Sequence, residues 1–256
     1  GDQLAAAHRT LAETQERLTE ARSLARLGEM SAGAAHEMNN PLTIIRGRSQ
    51  LLARRLASPT DRADAEAVAD AAEHLSTLIS SMHLLASPPT PHPEPFAAAD
   101  LLADAVRAAR QRVRPPLTPP PCTVEVSDNT PPMLADRGLL AAALAELLLN
   151  AWEAHAAADA SEPVRVVAAA DHAAGRFRVT VFDRGRGLSP RARSHAFDPF
   201  FSEKPAGRQT GLGLSRARVF TDLHDGSIAL APRVGGGTAA TLEIPLPGAR
   251  KAARAA

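Results

Sequence analysis

The stretch Ser31-Ala32-Gly33-Ala34-Ala35-His36-Glu37-Met38-Asn39-Asn40-Pro41-Leu42 decides how this chain is read. It lies inside a segment, 2–57, that has no other proline and is dominated by Ala, Leu, Arg and Glu. That is the composition of a long helix. Pro41 removes one amide donor and clashes with the carbonyl four residues back, that of Glu37, at about 3 kcal/mol. The sequence accepts this kink one turn after a histidine. His36 and Asn40, at i and i+4, share a helix face. A neutral imidazole is a good nucleophile, and an ordinary pKa near ~6.5 leaves most of it neutral near pH 7. The neighbouring carboxylate of Glu37 can fix the tautomer and accept the ring proton. Alone, the pair reads as two surface side chains, since the chain has nine histidines.

Upstream, Leu4, Leu11, Leu18 and Ala25 recur every seven residues, with Ala7, Thr14, Ala21 and Gly28 in the complementary position. This is a coiled-coil pattern, although a solvated helix fits the same composition. Downstream, Ser58-Pro59-Thr60-Asp61 is a turn signal. A second helix is predicted over 60–86, with Val68, Ala71, Ala72, Leu75, Leu78, Ile79, Met82 and Leu85 at helical spacing. Two long helices joined by a short turn form an antiparallel hairpin. One hairpin cannot bury its apolar stripe alone, so a homodimeric four-helix bundle is expected.

Residues 87–95 carry five prolines in nine positions, a semi-rigid linker. Beyond it the pattern changes. Helices are predicted over 96–112, from a cap at Asp136 to His155, and over 212–223. Strands are predicted over 123–127, 164–169, 177–182, 227–230 and 239–244. That mixed order indicates an α/β layer domain. The fold class is therefore α+β multidomain. Its parts are a coiled-coil signalling helix (1–27), the hairpin (28–87), the linker (88–95), an α/β sandwich domain (96–248) and a tail (249–256).

Composition excludes several functions. Net charge is +1, Tyr is absent and aromatics total 3%, which argues against nucleic acid. One cysteine, Cys122, rules out an internal disulfide and a multi-cysteine metal site, and it fits a reducing cytoplasm. No apolar run reaches the ~18 residues that span a membrane, and no signal peptide is evident. No membrane contact is expected of this portion. The chain opens on Gly1 rather than Met, and reads as a piece of a longer protein.

Three further motifs carry chemistry. Asp183-Arg184-Gly185-Arg186-Gly187-Leu188 follows a predicted strand, and its glycines let backbone approach a planar ligand closely, as an ordinary turn also would. Thr210-Gly211-Leu212-Gly213-Leu214-Ser215 opens a helix, where exposed amides and the positive dipole end suit phosphates; a plain helix start reads the same way. No P-loop sequence occurs. Asn150, after the apolar run from Leu147, offers an amide oxygen of the kind Mg²⁺ accepts beside phosphates and water, or is an exposed helix asparagine.

Together and in this order, these segments resemble the histidine-kinase family from about Leu24 to Pro245. His36 to Leu42 is similar to its phosphoacceptor box and Glu146 to Ala154 to its N box. Asp183 to Gly187 is similar to the first glycine box, Phe197 to Lys204 to the F box, and Gly211 to Leu214 to the second glycine box. The resemblance implies a dimeric helical bundle followed by an ATP-binding α/β sandwich, with ATP and Mg²⁺ as cofactors and a response-regulator receiver domain as partner. It implies attack on the γ-phosphate by His36, with Glu37 as base and Asn40 supporting phosphate removal from the regulator. Asn150 would hold Mg²⁺, Asp183 the adenine amino group, and Gly185 and Gly187 the base pocket. Phe200 would pack a mobile lid over 188–210, with Lys204 near the phosphates, and Gly211, Gly213 and Leu214 would face the phosphates. Glu146 departs from the asparagine common in that position, Ser202 and Glu203 depart from Thr-Thr, and Glu153 replaces the basic residue of some subfamilies. Other ATPases of the wider superfamily lack a phosphoacceptor histidine on a hairpin, and an inactive scaffold would lose Asn150, Asp183 or the glycines.

Overall fold

The computed structural model describes residues 37–113, 117–156, 158, 162–203 and 210–247. The coiled-coil pattern over 1–27, His36, Lys204 and the tail over 249–256 lie outside the described residues. The chain divides between Pro89 and Thr90 into two compact units.

The first unit is a helical hairpin. Helix α1 is described over 37–55 and continues through Pro41 without interruption. Helix α2, Pro59–Ala86, starts because Ser58 caps it: its hydroxyl accepts the Asp61 N–H, and Pro59 occupies the first turn, where its missing N–H costs nothing. The buried residues of the hairpin are mostly small: Ala53 on α1, and Ala65, Ala69, Ala72 and Ser81 on α2. Polar bonds join the two helices. The Asn39 amide donates to Ser80 Oγ at 3.3 Å and accepts from Ser76 Oγ at 2.7 Å, and Arg46 pairs with Glu73 at 2.9 Å. Seven large apolar side chains point to the surface, while Leu78, Ile79, Met82 and Leu85 of α2 are half-buried. Met38, Ile44, Ile45, Leu51, Leu52, Val68 and Leu75 are all exposed. Of the stripe expected on α2, only Ala72 is buried within the chain.

The second unit is an α/β sandwich. It begins with strand β1, Glu94–Phe96, helix α3, Ala98–Arg112, and strands β2, Cys122–Val126, and β3, Met133–Ala135. Helix α4, Arg137–Ala156, strands β4, Val164–Asp171, and β5, Arg176–Phe182, and the short helix α5, Pro190–His195, follow. Helix α6, Gly213–Asp222, and strands β6, Ser227–Pro232, and β7, Thr238–Pro245, complete it. The five-stranded sheet has the order β2-β4-β5-β7-β6, with β2 parallel to β4 and the other pairs antiparallel. Alternation gives it one apolar face. Val166, Val181 and Ala240 stand in register across β4, β5 and β7, as do Ala168, Val179 and Leu242. All six are buried. Helices α3, α4 and α6 pack side by side over the sheet. α4 lies in the middle, which is why it is apolar on several sides, with Leu140, Leu144, Leu147, Leu148 and Trp152 fully buried.

Two boundaries differ from the sequence expectation for one reason. The helix predicted from residue 96 starts at Ala98, because Phe96 is in β1, paired with Met133 of the unforeseen strand β3. Proline holds the preceding backbone extended, and that prepares Glu94 and Pro95 for the strand. Part of the linker thus belongs to the second unit, where the His92 N–H donates to Asp136 Oδ2 at 2.9 Å. Asp136 also caps α4, its Oδ1 accepting the Leu139 N–H at 3.0 Å. Among the described residues no helix is long and apolar enough to cross a membrane.

Candidate functional site

Strand β5 ends at Phe182 and delivers Asp183 to the end of the sheet beside β7. The Asp183 carboxylate is buried, and its Oδ1 accepts the N–H groups of Gly185 at 2.7 Å and Thr238 at 3.1 Å. Its backbone is pinned as well: its N–H donates to the Thr238 carbonyl, and its own carbonyl accepts from Arg233. Among the described residues no hydrogen bond reaches Oδ2. Burial pushes the Asp183 carboxyl above the usual carboxylate range, against the lowering effect of the two amide bonds and of His155 and Arg233. The result is a fixed carboxylate with one oxygen held by the protein and the other left to accept.

The glycines around it are required by close approach. A Cβ on Gly185 would lie 2.6 Å from the Ala154 carbonyl, so the loop presses on the last turn of α4. Gly237, which the sequence reading missed, has φ +90, and a Cβ there would lie 2.1 Å from the Asp183 carbonyl oxygen. Gly187 has φ +75. The left-handed conformation and the contacts together exclude any other residue at 237.

Asn150 lies on α4, half-buried, and its amide makes no hydrogen bond among the described residues. One turn earlier on the same face is Glu146, 4% exposed. It is held by two arginines that the sequence did not single out. Arg112, at the end of α3, reaches Oε1 at 2.8 Å and Oε2 at 3.2 Å, and Arg216, in the first turn of α6, donates to Oε1. A cation-holding role fits Asn150 and not Glu146. An amide oxygen beside phosphates is an ordinary Mg²⁺ ligand, whereas both Glu146 oxygens are taken by guanidinium. No cluster of three His, Cys, Asp or Glu suited to a metal occurs among the described residues.

α6 begins at Gly213, with Leu214 half-buried in its first turn. Gly211 has φ +67, and a Cβ on it would lie 2.5 Å from the Phe200 carbonyl carbon. Phe200 itself is at the surface, 56% exposed with φ +67. Its neighbour Phe201 lies near the His195 ring and under Arg191, while Arg218 of α6 covers Phe197. Ser189 caps α5 and donates to Glu203. His155 was also unforeseen. It is buried, and among the described residues neither ring nitrogen has a hydrogen-bond partner. On the other unit, Glu37 and Asn40 are exposed on α1, and the Asn40 amide is unbonded among the described residues.

Comparison with known proteins fits this arrangement. Residues 26–90 match the family model described as the His Kinase A (phospho-acceptor) domain. Residues 135–248 match that of the histidine kinase-, DNA gyrase B- and HSP90-like ATPase. The signal transduction histidine-protein kinase AtoS of Escherichia coli K12 is 30% identical over 237 residues, covering 91% of this chain and 37% of AtoS. The sensor histidine kinase ZraS of the same organism is 28% identical, covering 93% of this chain and 49% of ZraS. Among solved structures, full-length ShkA in complex with AMPPNP has a TM-score of 0.68 at 25% identity, covering 86% of this chain and 46% of ShkA. The chain thus spans between a third and a half of the length of these relatives.

Proposed function

This chain belongs to the histidine kinases as a catalytic core, and from that premise we propose that it moves the γ-phosphoryl group of ATP to its own His36. The observation that carries the nucleotide part is Asp183, a buried carboxylate with Oδ1 tied to two amides and Oδ2 left as an acceptor. An adenine amino group donates to that oxygen; a guanine carbonyl in the same place would face a second acceptor and be rejected. Gly185 and Gly187 let the base approach backbone. The α6 N-terminus, with Gly211, Gly213 and Leu214, faces the phosphates, and Lys204 of the lid adds positive charge. Asn150 would hold Mg²⁺, which neutralises phosphate charge when bound. The AMPPNP bound to the related ShkA supports a nucleoside triphosphate here.

In the transfer step an imidazole nitrogen of His36 forms a bond to the γ-phosphorus as the bridging P–O bond to ADP breaks. Glu37 takes the proton from the other ring nitrogen. A phosphoramidate results, from which the phosphoryl group passes to an aspartate of a response-regulator receiver domain. Use of ATP assigns this portion to the cytoplasm. The experiment that tests this reading is incorporation of label from γ-labelled ATP into protein. The bound label should be lost in acid and kept in base, as expected of phosphohistidine and not of phosphoserine.

The partner in the helical unit is a second copy. Met38, Ile44, Ile45, Leu51, Leu52, Val68 and Leu75 form more exposed apolar surface than a short monomeric hairpin keeps in water. A fragment of residues 1–90 should sediment as a dimer and one of residues 94–248 as a monomer. The reverse would overturn the assignment of the interface to the hairpin.

A further inference from the structure

A buried carboxylate is costly without partners, and Glu146 lies in the middle of the apolar run of α4 between Ala145 and Leu147. It is held by guanidinium groups from two other elements, Arg112 of α3 and Arg216 of α6. One arginine would neutralise the charge; two from different helices make Glu146 the point where α3, α4 and α6 are tied together. Its Oε2 also defines where α6 can begin. A Cβ on Gly213, the first residue of that helix, would lie 2.8 Å from this oxygen. Because Arg112 grips both carboxylate oxygens, the carboxylate cannot withdraw to make room. The start of α6 therefore rests on Glu146, an arrangement that a negative charge under a helix N-terminus favours. On the other side the Gly211 backbone is pressed against the Phe200 and Phe201 carbonyls. Asn150 stands one helical turn along α4 from Glu146, so one face of α4 sets the spacing between the amide that would hold Mg²⁺ and the first turn of α6.

We propose that Glu146 is a positioning residue for the nucleotide phosphates: clamped by Arg112 and Arg216, it fixes the first turn of α6 at the height where its N–H groups meet the polyphosphate whose Mg²⁺ Asn150 would hold. This rests on the nucleotide reading above. It assigns Glu146 neither to the metal nor to the base pocket. The glycine at 213 is there to accept the carboxylate as well as to leave the amides open.

The test compares two ligands on the full chain: Mg·ATP, which uses the α6 N-terminus, and adenosine, which uses only the Asp183 side of the site. Glu146→Gln keeps the shape but replaces one accepting oxygen with an NH₂ group that cannot accept from guanidinium. It should weaken Mg·ATP by about 30-fold, about 2 kcal/mol, and leave adenosine affinity within about twofold. Glu146→Asp keeps the charge and should recover part of the loss. Gly213→Ala, which displaces α6 without changing any charge, should repeat the selective loss. Thermal melting of each variant identifies those that do not fold, and for these Gly213→Ala remains the test. Equal losses for ATP and adenosine in folded variants would make Glu146 purely structural and overturn the proposal. So would unchanged ATP affinity, or a loss that vanishes when Mg²⁺ is omitted, which would make Glu146 a metal ligand. A wild-type chain that binds neither ligand would instead refute the nucleotide reading itself.

Discussion

His36→Gln should lower acid-labile label incorporation from γ-labelled ATP by at least about 10³-fold, equivalent to about 4 kcal/mol of barrier, while Mg·ATP affinity changes by less than about twofold. The large effect follows from the chemistry of the two side chains. A neutral imidazole has one ring nitrogen with an in-plane lone pair, and that pair makes the new N–P bond. The glutamine nitrogen shares its lone pair with the adjacent carbonyl and carries no usable nucleophile, though the side chain is of similar size and polarity. The small effect on binding follows from the domain division. Every residue assigned to the nucleotide, from Asn150 to Leu214, lies in the unit that begins at Thr90, and His36 precedes the boundary. The substitution therefore separates chemistry from binding. The measurement is paired: label incorporation on a filter washed in base, and calorimetric titration with Mg·ATP. Label retained by the variant would move the phosphoacceptor to another residue. A parallel loss of ATP affinity would mean that His36 belongs to the nucleotide site.

The long elements were legible because they are long. α2 and α4 each extend over five or more turns, enough for apolar spacing, a capping side chain and a turn signal to agree. Strands β1 and β3 were not, since three residues hold no period and their pairing joins positions about 40 apart in sequence. Register within the hairpin was also hidden. The periodicity on α2 identifies an apolar stripe, but α1 meets the alanine face beside it. Small side chains there let the two backbones approach, and the larger residues are left for another surface.

Of the candidate site, the short motifs were legible in the sequence and the residues that brace them were not. Asp183, Gly185, Gly211 and Gly213 stand in short motifs whose spacing has a local meaning. Arg112 and Arg216 come to Glu146 from 34 and 70 residues away, and each looks like a solvated cation on its own helix. Gly237 belongs to a glycine run in a hairpin turn, and only the fold shows that it meets the Asp183 carbonyl. His155 reads as an ordinary residue near a helix end until its burial beside Asp183 is seen.

Asn40→Ala should lower dephosphorylation of the phosphorylated response regulator by about 10²-fold, about 2.7 kcal/mol, and change autophosphorylation by less than about threefold. In sequence Asn40 follows His36 by four residues, the spacing that puts two side chains on one face of a helix. An amide can orient a water molecule but is neither base nor nucleophile near neutral pH. The competing view gives Asn40 a structural duty, satisfying backbone groups left unpaired by Pro41. The hydrogen bonds favour the first view. The residue that serves structure is Asn39, whose amide is bonded on both sides by Ser76 and Ser80 and whose carbonyl accepts from the Thr43 hydroxyl. Asn40 is exposed, and its amide is unbonded among the described residues. An asparagine exposed at the surface, beside one committed to α2, is placed to meet something outside the hairpin. Autophosphorylation needs the imidazole and a base, and neither is Asn40. Removal of phosphate from a regulator needs a held water, and losing one orienting hydrogen bond in a closed interface accounts for the expected factor. Both activities are to be measured in the same variant with the cognate regulator. If they fall together, Asn40 supports the helix and the protein is a kinase without this phosphatase device.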